Sequence, residues 1–544
     1  SLYGNNSLSG TVNIFPKMTR ENYAFSVEIF GGTQKTVSGS TFFGLKKNDW
    51  SADFIAANFQ TAGYVLVDER ERGLADVLAG SRNSNLSARI GKSFDETANV
   101  FFKTSYFGEV RTNGTGLQTN RTHIRQFILG GDWADENSKF KIQNSKFRVQ
   151  NPKFDWRVYG GTQTYDQIFS AVSASDRNSE TLNRVQRVPA QTVGFSANAS
   201  AVVLENQTLL IGFEAREVRG ASDEIGVFNN RATSVSSADG RERTVGFFVQ
   251  DFARIARKFV LAASARFDAW RNFAATSATR TLSNNQTNIV NFPDRDESAF
   301  SPQISLLYQA TGNFSFFALV SKSFRAPTLN ELYRGFRVGN VVTNANENLR
   351  AEKANNYEAG ASFGAKNIYL RGNFFLTDVS QPISNVTLAV TPNLIVRQRQ
   401  NVGRARTRGA EIEAETRLKN FNFSIGYLFA DSRFARFPAN RSLENLFVPQ
   451  TARHQLTFQT RYARRDWSFA LQGRASGEQF DDDLNTFRLE PYFQIDAFAA
   501  KRFGENTQVF IAVENVSNAR YSVGKTPVRT VSSPVNLRVG VRWN

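Results

Sequence analysis

Few residues in this 544-residue chain are equipped for covalent or metal chemistry. There is no cysteine, which excludes disulfides, thiol nucleophiles and zinc ribbons. Histidine occurs only at His123 and His454. A multi-histidine metal site is therefore excluded, and a serine–histidine–acid triad has just two candidate bases. Neither has an evident partner in the sequence around it, so no catalytic residue is assigned and no enzymatic activity is expected. The run Asp481-Asp482-Asp483 gathers oxygens of the kind a hard cation takes. It lacks EF-hand spacing and the turn glycine, and reads as a solvated acidic run. No metal and no cofactor are expected.

Binding chemistry is more abundant. The chain has 66 Lys and Arg against 49 Asp and Glu, a formal charge of +17, and 49 phenylalanines. One polar stretch carries Arg325, Tyr333, Arg334, Phe336 and Arg337. Guanidinium groups beside aromatic rings can clamp an anionic chelate through bidentate hydrogen bonds and cation–π contact. Residues 325–332 also suit a scaffold that turns a strand into a loop, and the two readings stand side by side. A second charged group alternates along the chain, with Arg404, Arg406 and Arg408 followed by Glu411, Glu413 and Glu415. No basic helix or nucleic-acid module accompanies the positive charge, so no nucleic acid is expected as a partner.

What these groups face depends on the elements that carry them. No apolar run approaches the ~18 residues of a membrane-spanning helix. The dominant pattern has a period of two. Ala410, Ile412, Ala414, Thr416 and Leu418 share one face of an extended strand, and Glu411, Glu413, Glu415 and Arg417 share the other. Three carboxylates in five residues cannot sit in a dry core. Phe259, Leu261, Ala263, Ala265 and Phe267 alternate in the same way, as do Val535, Leu537, Val539, Val541 and Trp543. Each segment is about ten residues long, the length of a tilted strand crossing a bilayer.

The connections alternate as well. Short turns fall at Lys47-Asn48-Asp49, Glu205-Asn206-Gln207, Thr311-Gly312-Asn313, Lys419-Asn420 and similar points, ten in all counting a longer one around 135–152. Long polar stretches separate them, at 61–81, 166–190, 220–241, 271–297, 323–355 and 433–450. Ten turns on one side imply about 22 strands. Short turns on one side and long loops on the other describe an all-β, transmembrane antiparallel barrel with periplasmic turns and extracellular loops. A soluble propeller has a comparable repeat, but no shared blade motif is present. In a barrel, the glutamate row and the neighbouring arginines are expected to face or flank an aqueous lumen, where they can hold an inserted domain or line a wet wall. The tandem heptapeptide NSKFKIQ-NSKFRVQ at 137–150 reads as an insertion in one near-side turn.

Four segments resemble TonB-dependent outer-membrane receptors. SLYGNNSLSGTVNIFPK at 1–17 is similar to the end of that family's plug domain. SKSFRAPTLNELYRG with NENLRAEKANNYEAG resembles a strand, its long outer loop and the next strand. NVGRARTRGAEIEAE resembles a barrel strand with an Arg-Gly-x-Glu core, and FIAVENVSNARYSVG resembles the element before the last strand. The resemblance implies a plug tail at 1–17 and a 22-stranded barrel at 18–544, in the cell outer membrane. It implies uptake of a ferric siderophore, cobalamin or another large scarce nutrient, driven by the TonB complex through plug residues upstream of Ser1. A monomer is expected. Outer-membrane lipids and the phosphates of lipopolysaccharide would suit the positive excess outside the barrel. If the natural protein had no plug, it would instead be a passive pore or a surface-interaction barrel.

Overall fold

The computed structural model describes residues 4, 18–19, 21–135, 139–141, 148–338, 341–392 and 394–544. Of the segment 1–17, only Gly4 lies among them. Of the tandem heptapeptide, Lys139–Lys141 pairs antiparallel with residues 148–150, and the remainder before residue 148 lies outside the described residues.

Alternation in the sequence becomes a two-faced wall. In the strand Arg404–Leu418, Ile412 is 58% exposed. Its cross-strand neighbours are Gly372 and Tyr427. Directly paired residues point to the same side of a sheet, so the outward face can be followed from strand to strand. It runs through Phe267 and Phe300, Ile304 and Val320, then Tyr357, and on to Phe374 opposite Ala410. Phe374 is 74% exposed. A continuous apolar belt of this kind is a liability in water and is in its proper solvent in hydrocarbon.

Hydrocarbon also explains why the sheet closes. An open edge would leave a row of backbone N–H and C=O groups without partners. Here the first strand, Tyr23–Gly32, pairs with the second, Thr36–Lys47, on one side and with the last, Asn536–Trp543, on the other. Val27 lies opposite Trp543 and Gly32 opposite Arg538. The result is a closed antiparallel barrel of 22 strands. Lys139–Lys141 and Thr287–Phe292 are short additions to it. At the seam the Phe25 and Trp543 rings pack with centroids 5.5 Å apart.

The near-side turns fall where the sequence places them. The far-side stretches differ from expectation. Residues 166–190 and 220–241, expected as loops, are mostly strand. Arg148–Val172, Glu180–Leu204, Gln207–Phe228 and Arg231–Ala256 run for 22 to 26 residues. About ten residues suffice to cross a bilayer, so these hairpins stand well above it. Outside the membrane neither face meets lipid, and the apolar alternation that marks a strand disappears while the backbone ladder continues. The hairpin tip at Asn229-Asn230 has φ of 48° and 58°, the left-handed pair that a two-residue hairpin turn requires and that asparagine tolerates.

Dry packing is concentrated at the outer mouth. Val386, Val402, Ala405, Phe434, Phe437 and Leu443 form one apolar cluster. Trp270 stacks on Phe324 at 5.1 Å in a second. A third joins Ala275, Leu332, Tyr333 and Leu349. Two outer connections add a small sheet in the order Phe336–Val338, Val341–Asn344, Leu394–Asn401, Ile383–Thr391. These clusters fix the loops over the bore, which carries polar side chains below them.

The two faces of one strand should respond oppositely to charge. Ile412→Arg, on the outward side, is expected to cost about 2–4 kcal/mol, read by denaturant unfolding in lipid vesicles. Glu413→Arg, on the bore side, is expected to cost far less. Equal effects would overturn the assignment of faces.

Candidate ligand site at the barrel mouth

The polar stretch singled out by its arginines and aromatics begins where the strand Phe314–Arg325 leaves the wall. Arg325 is committed to two carboxylates. Its Nε donates to Glu352 at 2.5 Å, and its Nη1 and Nη2 donate to Glu331 at 2.9 and 3.1 Å. Glu331 also accepts the Thr328 amide at 2.8 Å, while the Thr328 hydroxyl accepts the Glu331 amide at 3.2 Å. This reciprocal capping box starts the short helix Leu329–Tyr333. Of the two readings open for 325–332, the geometry matches the scaffold: Arg325 positions the helix, and its charge is neutralised within the protein.

The helix ends in a cavity. Arg399, from the small outer sheet, donates to the carbonyls of Asn330 and Arg334, both at 2.8 Å. The Asn330 carbonyl also accepts the Arg334 amide at 3.3 Å, so Arg399 ties together the end of the helix. Arg399 also lies 5.0 Å over the Phe336 ring. Gly240 lets the helix approach the wall, because a Cβ there would come within 3.4 Å of Leu329 and Tyr333. Between helix and wall is a cavity of about 400 Å³, lined by Asn330, Tyr333 and Arg334 on one side and by Arg216, Asp239, Glu242 and Ser222 on the other. Arg216 and Glu242 stand 3.6 Å apart.

Tyr333 and Arg334 line this cavity, and each also carries a buried donor. The Tyr333 ring packs 4.9 Å from Phe292, and its buried hydroxyl has no hydrogen-bond partner among the described residues. Burial pushes that hydroxyl above the usual tyrosine range. Arg334 donates to Gln186 at 2.5 Å and to Asn330 at 3.2 Å. Its Nε lies 3.8 Å from Glu224, beyond hydrogen-bond reach, and is likewise unpartnered. Burial lowers its pKa from the ordinary arginine value. A buried donor without a partner is costly. Phe336 sits beneath Arg399, and the Arg337 side chain lies outside what the structure describes. Arg399 and the pair Arg216–Glu242 were not identifiable as site residues from sequence, since they come from distant strands and no local motif marks them.

The family model for TonB dependent receptor-like β-barrels matches residues 68–516. The chain belongs to that family. Among solved structures, the barrel resembles the closed form of the ferric-catecholate import receptor Fiu of Escherichia coli K12, with a TM-score of 0.79 and 14% identity over 99% of this chain and 84% of that one. It also resembles the ferric yersiniabactin uptake receptor FyuA of Yersinia pestis, with a TM-score of 0.75 and 14% identity over 97% of this chain and 80% of that one. Among curated relatives, the vitamin B12 transporter BtuB of Photobacterium profundum is 22% identical over 232 residues, 41% of this chain and 35% of that protein. The chain thus spans about a third of that relative's length. As a 22-stranded member of this family, the protein is a multi-pass β-barrel of the outer membrane.

In this TonB-dependent receptor-like barrel the bore is polar and its lower wall is occupied. Gly4 has φ of 59° and rests on Arg266, where a Cβ would come within 2.5 Å of Nη2. Arg266 bonds Asp268 at 2.7 Å and Glu214 at 3.2 Å. Nearer the first strand, the Thr19 amide and hydroxyl both donate to Asp53, at 3.1 and 2.9 Å. The segment before the barrel is therefore anchored to the inner wall at both described points.

The second charged group divides. Glu411, Glu413 and Glu415 face the bore, opposite Asn373, Arg371 and Tyr369. Among the described residues no basic side chain lies within 4.0 Å of any of the three carboxylates. Arg404, Arg406 and Arg408 were expected to face or flank the lumen. The register places them on the outside instead: they share parity with Ile412 and lie opposite Ser380, Asp378 and Leu376, on the face of Phe374. Reading across the Arg-Gly boundary as one ladder missed that the charged residues change from even to odd positions at Gly409.

The remaining candidates are structural. Asp481 accepts the Lys525 and Thr526 amides at 2.9 Å. Asp482 accepts the Phe487 amide at 2.8 Å, and Asp483 the Thr387 amide at 3.1 Å. The triple aspartate is thus not a solvated run, because backbone amides from three connections converge on it. Each histidine accepts or donates a bond with a tyrosine hydroxyl, His123 with Tyr106 at 2.9 Å and His454 with Tyr427 at 2.8 Å.

Arg325→Met would leave Glu331 and Glu352 without their cation. Removing one partner of such a buried cluster costs about 3–5 kcal/mol. Hydrogen exchange should show residues 329–349 losing protection while the barrel strands keep theirs. Unchanged protection at the mouth would sink the positioning role.

Proposed function

We propose that this chain is the barrel of a TonB-dependent receptor that takes up a metal chelate such as a ferric siderophore, or a similarly large scarce nutrient such as cobalamin. The observation that carries the reading is the mouth cavity lined by Tyr333 and Arg334, whose buried hydroxyl and Nε have no hydrogen-bond partner among the described residues. Arg334 and Tyr333 are the proposed ligand contacts. The hydroxamate, catecholate or carboxylate oxygens of a chelate are acceptors that match them. Arg325 holds the helix that presents them.

Energy coupling is proposed to run through the TonB complex acting on a plug, of which residues 1–17 are the end. The contacts of Gly4 with Arg266 and of Thr19 with Asp53 support a segment seated inside the bore. The row Glu411, Glu413 and Glu415, which has no ion-pair partner among the described residues, offers basic groups of such a plug a docking strip. Family membership favours this reading over a passive pore, and the transport and receptor roles named for the relatives favour it over an enzyme.

Growth of a deletion strain on single iron and cobalamin sources tests the proposal. Restoring the full-length gene should restore growth on at least one source. Arg334→Gln is expected to raise the half-saturating concentration of that source roughly tenfold, the effect of about 1.4 kcal/mol. A strain that grows equally on every source, or purified full-length protein that shows large steady conductance in planar bilayers, would overturn it.

A further inference from the structure

The outward-facing arginines form a built cluster. Asp378 holds Arg404 and Arg406, the latter at 2.8 Å. Asp431 holds Arg408, Arg433 and Arg453, at 3.4, 3.1 and 3.6 Å. Five guanidinium groups therefore share two carboxylates. Arg406 and Arg433 lie directly opposite each other across neighbouring strands, an arrangement that is destabilising for like charges. The Nε of Arg453 is buried and without a hydrogen-bond partner. The aspartates are nearly fully covered, whereas the Arg408 side chain is 73% exposed and those of Arg404 and Arg406 are nearly half exposed. The cluster thus has a fixed anionic base and an unmatched cationic surface.

Its height on the barrel identifies what that surface meets. Arg408 stands ten residues from Leu418 and Asp431 ten from Phe421, both counted from the Lys419-Asn420 turn. A transmembrane strand spans about 9–11 residues, so this pair marks the outer boundary of the hydrocarbon. Just below it, Phe429 lies opposite Ala410 and His454, with the Phe429 and His454 rings 5.3 Å apart. Aromatic rings at this level form the interfacial girdle of such barrels. At the same level, the Arg433 and Arg453 guanidiniums lie 4.1 and 5.3 Å from the centre of the Phe447 ring. Anything bound there has acyl chains against the apolar belt and anionic groups at the arginines.

We propose that Arg404, Arg406, Arg408, Arg433 and Arg453 form a binding site for a phosphorylated glycolipid of the outer leaflet, with its phosphates chelated by the guanidiniums. Arginine recognises phosphate bidentately, and headgroup phosphates lie at this depth. The site is on the opposite face of the wall from the ligand cavity. It rests on the outer-membrane location and stands or falls independently of what the barrel imports.

The test uses full-length protein in detergent micelles, with native mass spectrometry counting retained glycolipid. The probes are bisphosphorylated lipid A, its monophosphoryl form, phosphatidylglycerol and inorganic phosphate. Bisphosphorylated lipid A should be retained at least tenfold better than the others, with retention falling as salt is raised. The triple variant Arg406→Gln, Arg408→Gln, Arg433→Gln should lose at least tenfold, and the matching Lys variant should recover part of it. Because the triple variant removes partners of Asp431, the exposed single variant Arg408→Gln is included and should lose severalfold while folding normally. Arg371→Gln, on the bore side of the adjacent strand, should change nothing. Equal retention by the wild type and the folded Arg408→Gln protein, an equal loss in Arg371→Gln, or equal binding of phosphatidylglycerol would overturn the site.

Discussion

Hydrocarbon offers no hydrogen-bond partner, and this constraint governs the whole molecule. A sheet in that medium has to satisfy every backbone N–H and C=O within itself, which only closure achieves. The pairing of Tyr23–Gly32 with Asn536–Trp543 is therefore the contact on which the other pairings depend. It joins residues from opposite ends of the chain, so the barrel is complete only when the last strand is in place. Once closed, the sheet divides space into lipid outside and water inside, and each side chain is sorted by the parity of its position.

That sorting gives the charges three separate environments. Carboxylates on the bore side, such as Glu411, Glu413 and Glu415, stay in an aqueous interior. The outward arginines Arg404, Arg406 and Arg408 stand ten or more residues from the end of their strand at the Lys419-Asn420 turn. At the mouth, burial and charge combine. There Arg325 is neutralised by Glu331 and Glu352, while Arg334 and Tyr333 keep donors that none of the described residues satisfies. The contrast separates an arginine whose charge is fully neutralised from one left with an unpartnered donor.

The barrel itself was legible in the sequence because lipid and water write a period of two along each spanning segment. The turn count reached 22 strands for the same reason: near-side turns are short and polar, and interrupt that pattern sharply. The tall hairpins were not legible. Above the membrane, strands such as Gln207–Phe228 and Arg231–Ala256 keep their ladder with mixed side chains on both faces, and composition alone cannot tell them from loops. The triple aspartate was misread for a related reason, since its partners at Lys525 and Thr387 are remote in the chain.

The candidate site shows the same division. The sequence by itself determined that residues 325–337 gather arginines and aromatic rings, that 404–415 carries dense charge, and that the chain is a membrane barrel. These follow from residue type and local periodicity, which a linear chain records. Only the tertiary structure decided which arginine faces a carboxylate and which a cavity, and that Arg404, Arg406 and Arg408 turn outward while the glutamates turn inward. Those assignments depend on register, and a shift of one residue exchanges the two faces of a strand. Register is set by strands hundreds of residues apart closing into one ring, and no local window of sequence contains it.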